Sequence, residues 1–180
     1  RDDLVTGVQT CALPISGDKV KITFAPKGFG SENMSRVFML KPADGIEGVK
    51  NAILTAVSDA GPNACPPMVV GVGVGGTFEK CAIMAKKALT REAGTHSDIE
   101  YVAELEKEML EKINRLGIGP GGLGGSTTAL AVNINTYPTH IAGLPVLCQA
   151  CLFFQASLFQ ALPHTLCLNV CLLLDRKSTR

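Results

Sequence analysis

The sequence predicts an α/β fold, and three observations predict it: short apolar runs bounded by Gly and Pro, stretches of helical apolar spacing between those runs, and a chain of one domain's length. Strands separated by helices of this length form layered α/β domains. Of the 180 residues 46% are apolar, which excludes intrinsic disorder. Lys plus Arg number 17 against 16 Asp plus Glu, with no basic cluster. Phosphate binding needs concentrated positive charge, so a nucleic-acid surface is excluded.

Taken in order, KVKITF (19–24) alternates Lys/Lys/Thr with Val/Ile/Phe, the period of a half-buried strand. KGFGSENMS (27–35) follows as a glycine-rich loop. A helix starts at Asp44, with Glu47 three residues on as a capping box, and Ile46, Val49, Ile53, Ala56 and Val57 on one face. Gly61 stops it. PPMVVGVGV (66–74) is a continuous apolar run, as expected of a strand covered on both faces, with its prolines at the start.

From Thr77 to Arg91, Cys81, Met84, Ala85, Ala88 and Leu89 recur at helical spacing. Ser97 and Glu100 form a second capping box before a helix whose stripe is Ile99, Val102, Leu105, Met109, Ile113 and Leu116, ended by Gly117. Glu108 and Lys112 pair on its wet side. GIGPGGLGGSTTA (117–129) is too rich in glycine for regular structure, LAVNINT (130–136) alternates like a strand, and YPTHIAGLPV (137–146) reads as a loop.

The ends differ in character. TCALPI (10–15) can be encoded by a DNA segment whose reverse complement encodes DRKSTR (175–180), and VTGVQTCALPI (5–15) resembles a translated sequencing adapter. Residues 1–16 and 175–180 are therefore expected to be adapter scars and are set aside. No Asp, Glu, Lys or Arg occurs from Leu116 through Leu174. Within that span, 147–174 is apolar and rich in Cys, yet Gln149, Gln155, Gln160, Pro163, His164 and Asn169 interrupt any periodicity. The expectation is an out-of-frame or chimeric tail, with a membrane span or buried segment as the alternative. No secretory signal is recognisable, and a cytoplasmic protein is the default.

Three motifs carry chemistry. Gly71-x-Gly73-x-x-Gly76 lies between a strand and a helix, as a dinucleotide fingerprint should, but close strand-to-helix packing explains it equally. The acidic residue that such a fingerprint expects at the next strand end is missing. Cys148, Cys151, Cys167 and Cys171 approach zinc-ribbon spacing, on flanks of Leu, Phe and Ala that lack tight polar turns. Cys65 stands alone on GPNACPP (61–67), between a helix end and a strand start.

GDKVKITFAPKGFGSENMSR (17–36), KPADGIEGVK (41–50), GPNACPPMVVGVGVGGTFEKCA (61–82), INRLGIGPGGLGG (113–125) and TYPTHIAGLPV (136–146) resemble, in order and spacing, the α subunit of the iron–sulfur class I fumarate hydratases and the related L-tartrate dehydratases. The resemblance covers 17–146 and implies an incomplete fragment of the α-type domain of an iron–sulfur hydro-lyase, a mixed sheet with flanking helices. It implies reversible hydration of fumarate to L-malate, with dehydration of L-tartrate to oxaloacetate as the alternative, on a [4Fe-4S] cluster. Cys65 matches a cluster cysteine. Lys27, Gly28, Gly30, Ser31 and Asn33 match a loop that approaches the small dicarboxylate substrate, and His140 matches a histidine beside the active site. Cys81 matches no ligand position. The glycines at 119–125 and Thr127 or Thr128 fall near the cluster without assigned roles. A β subunit or domain is the implied partner, in a homo-oligomer of the αβ unit.

Departures from the family pattern matter equally. Its first cluster cysteine lies in a Cys-Gln-Asp-Thr-Gly segment, and nothing before Gly17 resembles that. After GLPV the family continues Val-Asn-x-x-Cys-His, whereas this chain reads LCQACLFF (147–154). Cys151 falls near the expected cysteine but lacks the Asn and His neighbours. Cys65 is thus one of three expected ligands, and the chain alone is expected to be inactive. Readings from other classes are a dinucleotide-binding module and a membrane-anchored protein.

Overall fold

The computed structural model describes residues 19–27, 29–92, 94–152 and 169–177. The chain divides into two compact units. β1 (Lys19–Lys27) pairs with β6 (Asn169–Lys177) in a two-stranded sheet. The strand expected at 19–24 therefore forms, but outside the main sheet.

The larger unit is built on a four-stranded sheet in the order β2-β5-β3-β4. Its strands are β2 (Arg36–Leu40), β3 (Met68–Gly75), β4 (Ala129–Tyr137) and β5 (Leu144–Leu152). β3 runs parallel to β4 and antiparallel to β5, and β2 is antiparallel to β5, so the sheet is mixed. Its helices are α1 (Phe29–Asn33), α2 (Gly45–Ala60), α3 (Phe78–Ala88) and α4 (Glu100–Asn114).

One sheet face carries Val70, Val72, Val132, Ile134, Val146 and Cys148, packed on Val49, Ile53 and Val57 of α2 and on Val102, Met109 and Ile113 of α4. The other face takes α3 at close range. A Cβ on Gly71 would sit 2.4 Å from the Ala85 carbonyl oxygen, and one on Gly73 2.0 Å from that of Cys81. Only glycine permits this approach. Both residues lie inside β3 rather than in a turn after it, so this glycine pattern serves packing and is not a dinucleotide loop. Asn133 and Asn135 of β4 complete the junction, donating amide protons to the carbonyls of Ala88 and Met84, each at 3.0 Å.

Several local expectations change. Neither capping box forms. Asp44 turns its carboxylate back to the Lys41 N–H at 2.8 Å, after a 3-10 turn at Pro42–Asp44. Helix α4 begins at Glu100, and the Ser97 N–H donates at 3.1 Å to the buried carboxylate of Glu106. Ile46, Ile99 and Leu116, expected on inner stripes, are exposed because they flank the helix ends. Thr77 does cap α3, accepting from the Lys80 N–H at 3.3 Å. Glu108 and Lys112 pair at 2.8 Å as expected, and Lys50 joins them at 3.0 Å.

The glycine-rich stretch 27–35 contains a helical turn, α1, and is followed by β2, which the sequence does not announce. The loop expected over 137–146 is confined to 138–143, because Leu144 opens β5. β5 continues past Val146, the expected end of the domain. Its Leu147, Cys148, Gln149 and Ala150 are buried between β2 and β3, so the domain edge at Val146 cuts through the middle of a central strand. Of the expected tail, residues 153–168 lie outside the described residues, as do 1–16 and 178–180 of the expected scars. Among the described residues no helix is long and apolar enough to cross a membrane.

Candidate active site

The Cys65 loop is made by the chain leaving α2. Gly61, at φ 49°, ends that helix through an N–H bond to the Val57 carbonyl, and Gly61–Ala64 form a 3-10 turn. Cys65 itself has φ 54°, the positive-φ non-glycine residue among those described, and its N–H bonds back to the Pro62 carbonyl at 2.9 Å. A left-handed conformation costs a residue with a Cβ about 1–2 kcal/mol, so surrounding contacts must impose it. The outcome is a solvent-exposed thiol at the N-terminal end of β3.

Two glycine-bearing segments close on this loop. A Cβ on Gly30 of α1 would lie 3.2 Å from the Asn63 carbonyl oxygen. A Cβ on Gly122 would lie 2.3 Å from Pro62 Cβ, and the Gly121 N–H donates to the Pro66 carbonyl at 2.8 Å. The three stretches quoted separately from the sequence, 27–35, 61–67 and 117–125, thus meet at one end of the sheet. Buried Thr128 anchors the third: its hydroxyl accepts from the Gly119 N–H at 3.2 Å, and its carbonyl accepts from the Met68 N–H at 3.0 Å. Asn114 Oδ1 in turn accepts from the N–H groups of Thr128 and Ala129, at 2.8 and 2.9 Å.

Of the other candidate residues, Ser31 is buried in α1 and Asn33 is exposed, with its carbonyl accepting from Arg36 Nη1 at 3.1 Å. Lys27 ends β1, and Gly28 lies outside the described residues. His140 is elsewhere. β3 and β4 run parallel, so the loop after β4 sits at the Gly75 end of β3, where Thr139 Oγ1 donates to the Gly76 carbonyl at 3.0 Å. The whole of β3 lies between that end and the Cys65 end, a first-to-last length of about 23 Å at roughly 3.3 Å per step. His140 is exposed, and its Nδ1 accepts from the Ala142 N–H at 3.2 Å. The structure does not bring it to Cys65 within one chain.

The described thiols differ sharply in chemistry. Burial pushes the Cys148 thiol up to about 12, and burial likewise raises Cys81, whose Sγ donates to the Phe78 carbonyl at 3.1 Å. Without a metal, burial thus keeps both protonated near neutrality. Cys65 is the exposed thiol of the three, and Cys151 stands in β5 at the register position opposite Val69, toward the same end of the sheet. No group of three His, Cys, Asp or Glu able to hold a metal occurs among the described residues. Of Cys65, Cys81 and Cys148, Cys65 is the one whose exposure leaves its sulfur open to a metal group.

Sequence reasoning missed residues that support the site. Glu32, inside the quoted SENMS motif, pairs with Lys86 Nζ at 2.8 Å. Gln149 donates to Glu32 Oε2 at 3.0 Å and to Ser35 Oγ at 2.7 Å. These contacts join positions far apart in sequence, which no local pattern signals.

The model of the family described as Fumarate hydratase (Fumerase) matches residues 8–153. A Methanocaldococcus jannaschii protein provisionally named L(+)-tartrate dehydratase subunit alpha is 53% identical over 134 residues, 74% of this chain and 47% of its own length. L(+)-tartrate dehydratase subunit alpha of Escherichia coli K12 is 37% identical over 123 residues, 68% of this chain and 41% of its own. The chain thus spans less than half the length of these relatives. The family match ends at residue 153, one residue beyond β5, and includes the strand residues past Val146. The chain belongs to the fumarate hydratase (Fumerase) family of hydro-lyases.

Proposed function

We propose that this chain is part of the α subunit of an iron–sulfur hydro-lyase that dehydrates L-tartrate to oxaloacetate. The observation that carries the reading is the exposed Cys65 thiol, held at positive φ between the Gly30 and Gly122 segments. The names of the relatives favour tartrate. The description of the family favours a second reading, reversible hydration of fumarate to L-malate.

In this reading Cys65 supplies one thiolate to a [4Fe-4S] cluster. When bound, the cluster supplies a Lewis-acidic iron that polarises the substrate's hydroxyl and carboxylate. The chain's own residues do the rest of the binding. Lys27, Gly28, Gly30, Ser31 and Asn33 present a cation, backbone N–H groups and small polar side chains to the dicarboxylate, glycine permitting close backbone approach. The glycines of the Gly119–Gly125 loop let its backbone pack closely on the Cys65 loop at Pro62.

A β subunit or domain completes the site, and the chain alone is inactive. His140 sits a full strand length from Cys65, so a His140 acting at the site comes from a second copy, in keeping with a homo-oligomer of αβ units. Co-assembly of Cys65→Ala and His140→Ala copies in a dimer then restores about a quarter of wild-type turnover, since half the dimers carry one intact site; no restoration contradicts the shared site.

The experiment for the main reading uses the full-length α subunit containing these residues, assembled anaerobically with its β subunit. Oxaloacetate release from L-tartrate faster than fumarate release from L-malate supports it. Faster turnover of L-malate moves the assignment to fumarate hydratase, and no turnover of either refutes both.

A further inference from the structure

Helix α1 has five residues and carries three of the candidate dicarboxylate-binding positions, Gly30, Ser31 and Asn33. A helix so short does not sustain itself, because its first turn fixes several dihedrals for one hydrogen bond. Side chains from elsewhere hold it. Glu32 Oε1 lies 2.8 Å from Lys86 Nζ of α3, and Glu32 Oε2 accepts from Gln149 Nε2 of β5 at 3.0 Å. The same Gln149 amide donates to Ser35 Oγ at 2.7 Å, and the Ser35 N–H bonds to the Glu32 carbonyl at 3.1 Å. Gln149 is buried, while Glu32 and Lys86 are about one-third exposed. One carboxylate therefore ties the turn to a helix and to a central strand.

The charge has its own consequence. An uncompensated carboxylate next to Ser31 repels a dianionic substrate, and at these separations the repulsion is appreciable wherever water is partly excluded. The Lys86 ammonium cancels it. We propose that Glu32 and Lys86 are positioning residues of the site: the pair sets the Gly30–Asn33 turn against the Cys65 loop, and Lys86 neutralises Glu32 so that a dicarboxylate can approach. The proposal rests on the functional reading above. It deepens that reading by naming what orients the substrate loop without touching substrate.

A tether and a neutralised tether differ in their mutant pattern. In the assembled αβ enzyme, Glu32→Gln loosens the turn but adds no charge, and KM for the dicarboxylate rises about threefold. Lys86→Met removes the ammonium 2.8 Å from the Glu32 carboxylate, and KM rises about tenfold, the effect of one lost charge-assisted contact at a partly exposed site. The double variant returns to the Glu32→Gln value, and kcat stays within about twofold throughout, since the interaction concerns binding rather than the chemical step. An unchanged KM, a parallel fall in kcat, or additive single effects overturns the proposal.

Amide exchange in the 180-residue chain gives a readout independent of turnover. Both single variants accelerate exchange of residues 29–35 about tenfold and leave β3 and β4 unchanged. Equal exchange in wild type and variants overturns the tether. If the wild-type assembly turns over neither L-tartrate nor L-malate, the functional reading fails and the neutralisation claim falls with it. The exchange result then still decides whether Glu32 and Lys86 position the turn.

Discussion

Gly122→Ala probes the join between the Cys65 loop and the glycine-rich loop. At Gly122 an added Cβ would sit 2.3 Å from Pro62 Cβ and 3.0 Å from Pro62 Cα. Ordinary contact begins at 3.4 Å, so one loop must retreat by about 1 Å, which strains the 2.8 Å bond from the Gly121 N–H to the Pro66 carbonyl. Gly122 also has φ 76°, where a Cβ costs about 1–2 kcal/mol in backbone energy alone. Overpacking adds roughly 1–3 kcal/mol, for a total of about 2–5 kcal/mol. Gly117→Ala is the control, because φ there is 69° and nothing lies within 4 Å of the added Cβ. It carries the backbone term without the clash. Urea unfolding of the two variants and the wild type separates the terms, and the rate of Cys65 alkylation reports the displacement. If Gly122→Ala is no less stable than Gly117→Ala and alkylates at the wild-type rate, the two loops do not meet as described.

Three further outcomes follow from the same structure. Peptide-mapped iodoacetamide labelling at neutral pH should modify Cys65 well ahead of Cys81 and Cys148, since Cys65 is exposed and burial keeps the other two inaccessible and protonated; comparable rates at Cys148 would show that β5 is not packed. The folded chain holds the Cys148 proton up to about 12 while the unfolded thiol loses its proton near its ordinary value, so this group's contribution is present below about pH 9 and declines above it by about 1.4 kcal/mol per pH unit. Cys148→Val should flatten that alkaline decline in urea titrations relative to wild type, and an unchanged slope would contradict the burial. Glu106→Ala removes a buried acceptor from the N–H groups of Ser97 and Ile134 and from Arg91, and should cost about 3–5 kcal/mol in thermal or urea unfolding; a loss under about 1 kcal/mol would mean that the carboxylate is not the hub of these contacts.

What could be read from the sequence divides along physical lines. Helices α2, α3 and α4 and strands β3 and β4 were legible because each buries one face, or both, and so writes its period into the residues. Gly71 and Gly73 could be noticed but not interpreted, since a helix crossing above a strand and a phosphate in a turn ask for the same small residue. β2 has five residues at a sheet edge and little apolar patterning to announce itself. β5 was hidden by Pro145 and by a stretch whose composition suggested no structure, although β2 and β3 pair along both sides of it. The capping boxes did not form because Asp44 bonds back to the Lys41 N–H and the Ser97 hydroxyl accepts from the Ile99 N–H, ahead of each helix start.

At the site, the Cys65, Gly30 and Gly122 segments could each be recognised locally, and the fold brings them together. The separation of His140 from Cys65 could not be read, because it follows from the parallel pairing of β3 with β4. Glu106 was missed for a related reason: a Glu on a helix ordinarily reads as solvated, and only the folded β4 edge supplies the Ile134 N–H that it accepts.

The central claim is that Cys65 is a ligand of an iron–sulfur cluster in a dicarboxylate hydro-lyase. The most direct measurement is the visible absorption and EPR spectrum of the anaerobically reconstituted full-length αβ enzyme, wild type against Cys65→Ala. The account predicts a [4Fe-4S] signature with dehydratase turnover in the wild type, and loss of both in the variant with α and β still associated. A normal cluster spectrum in Cys65→Ala would contradict it.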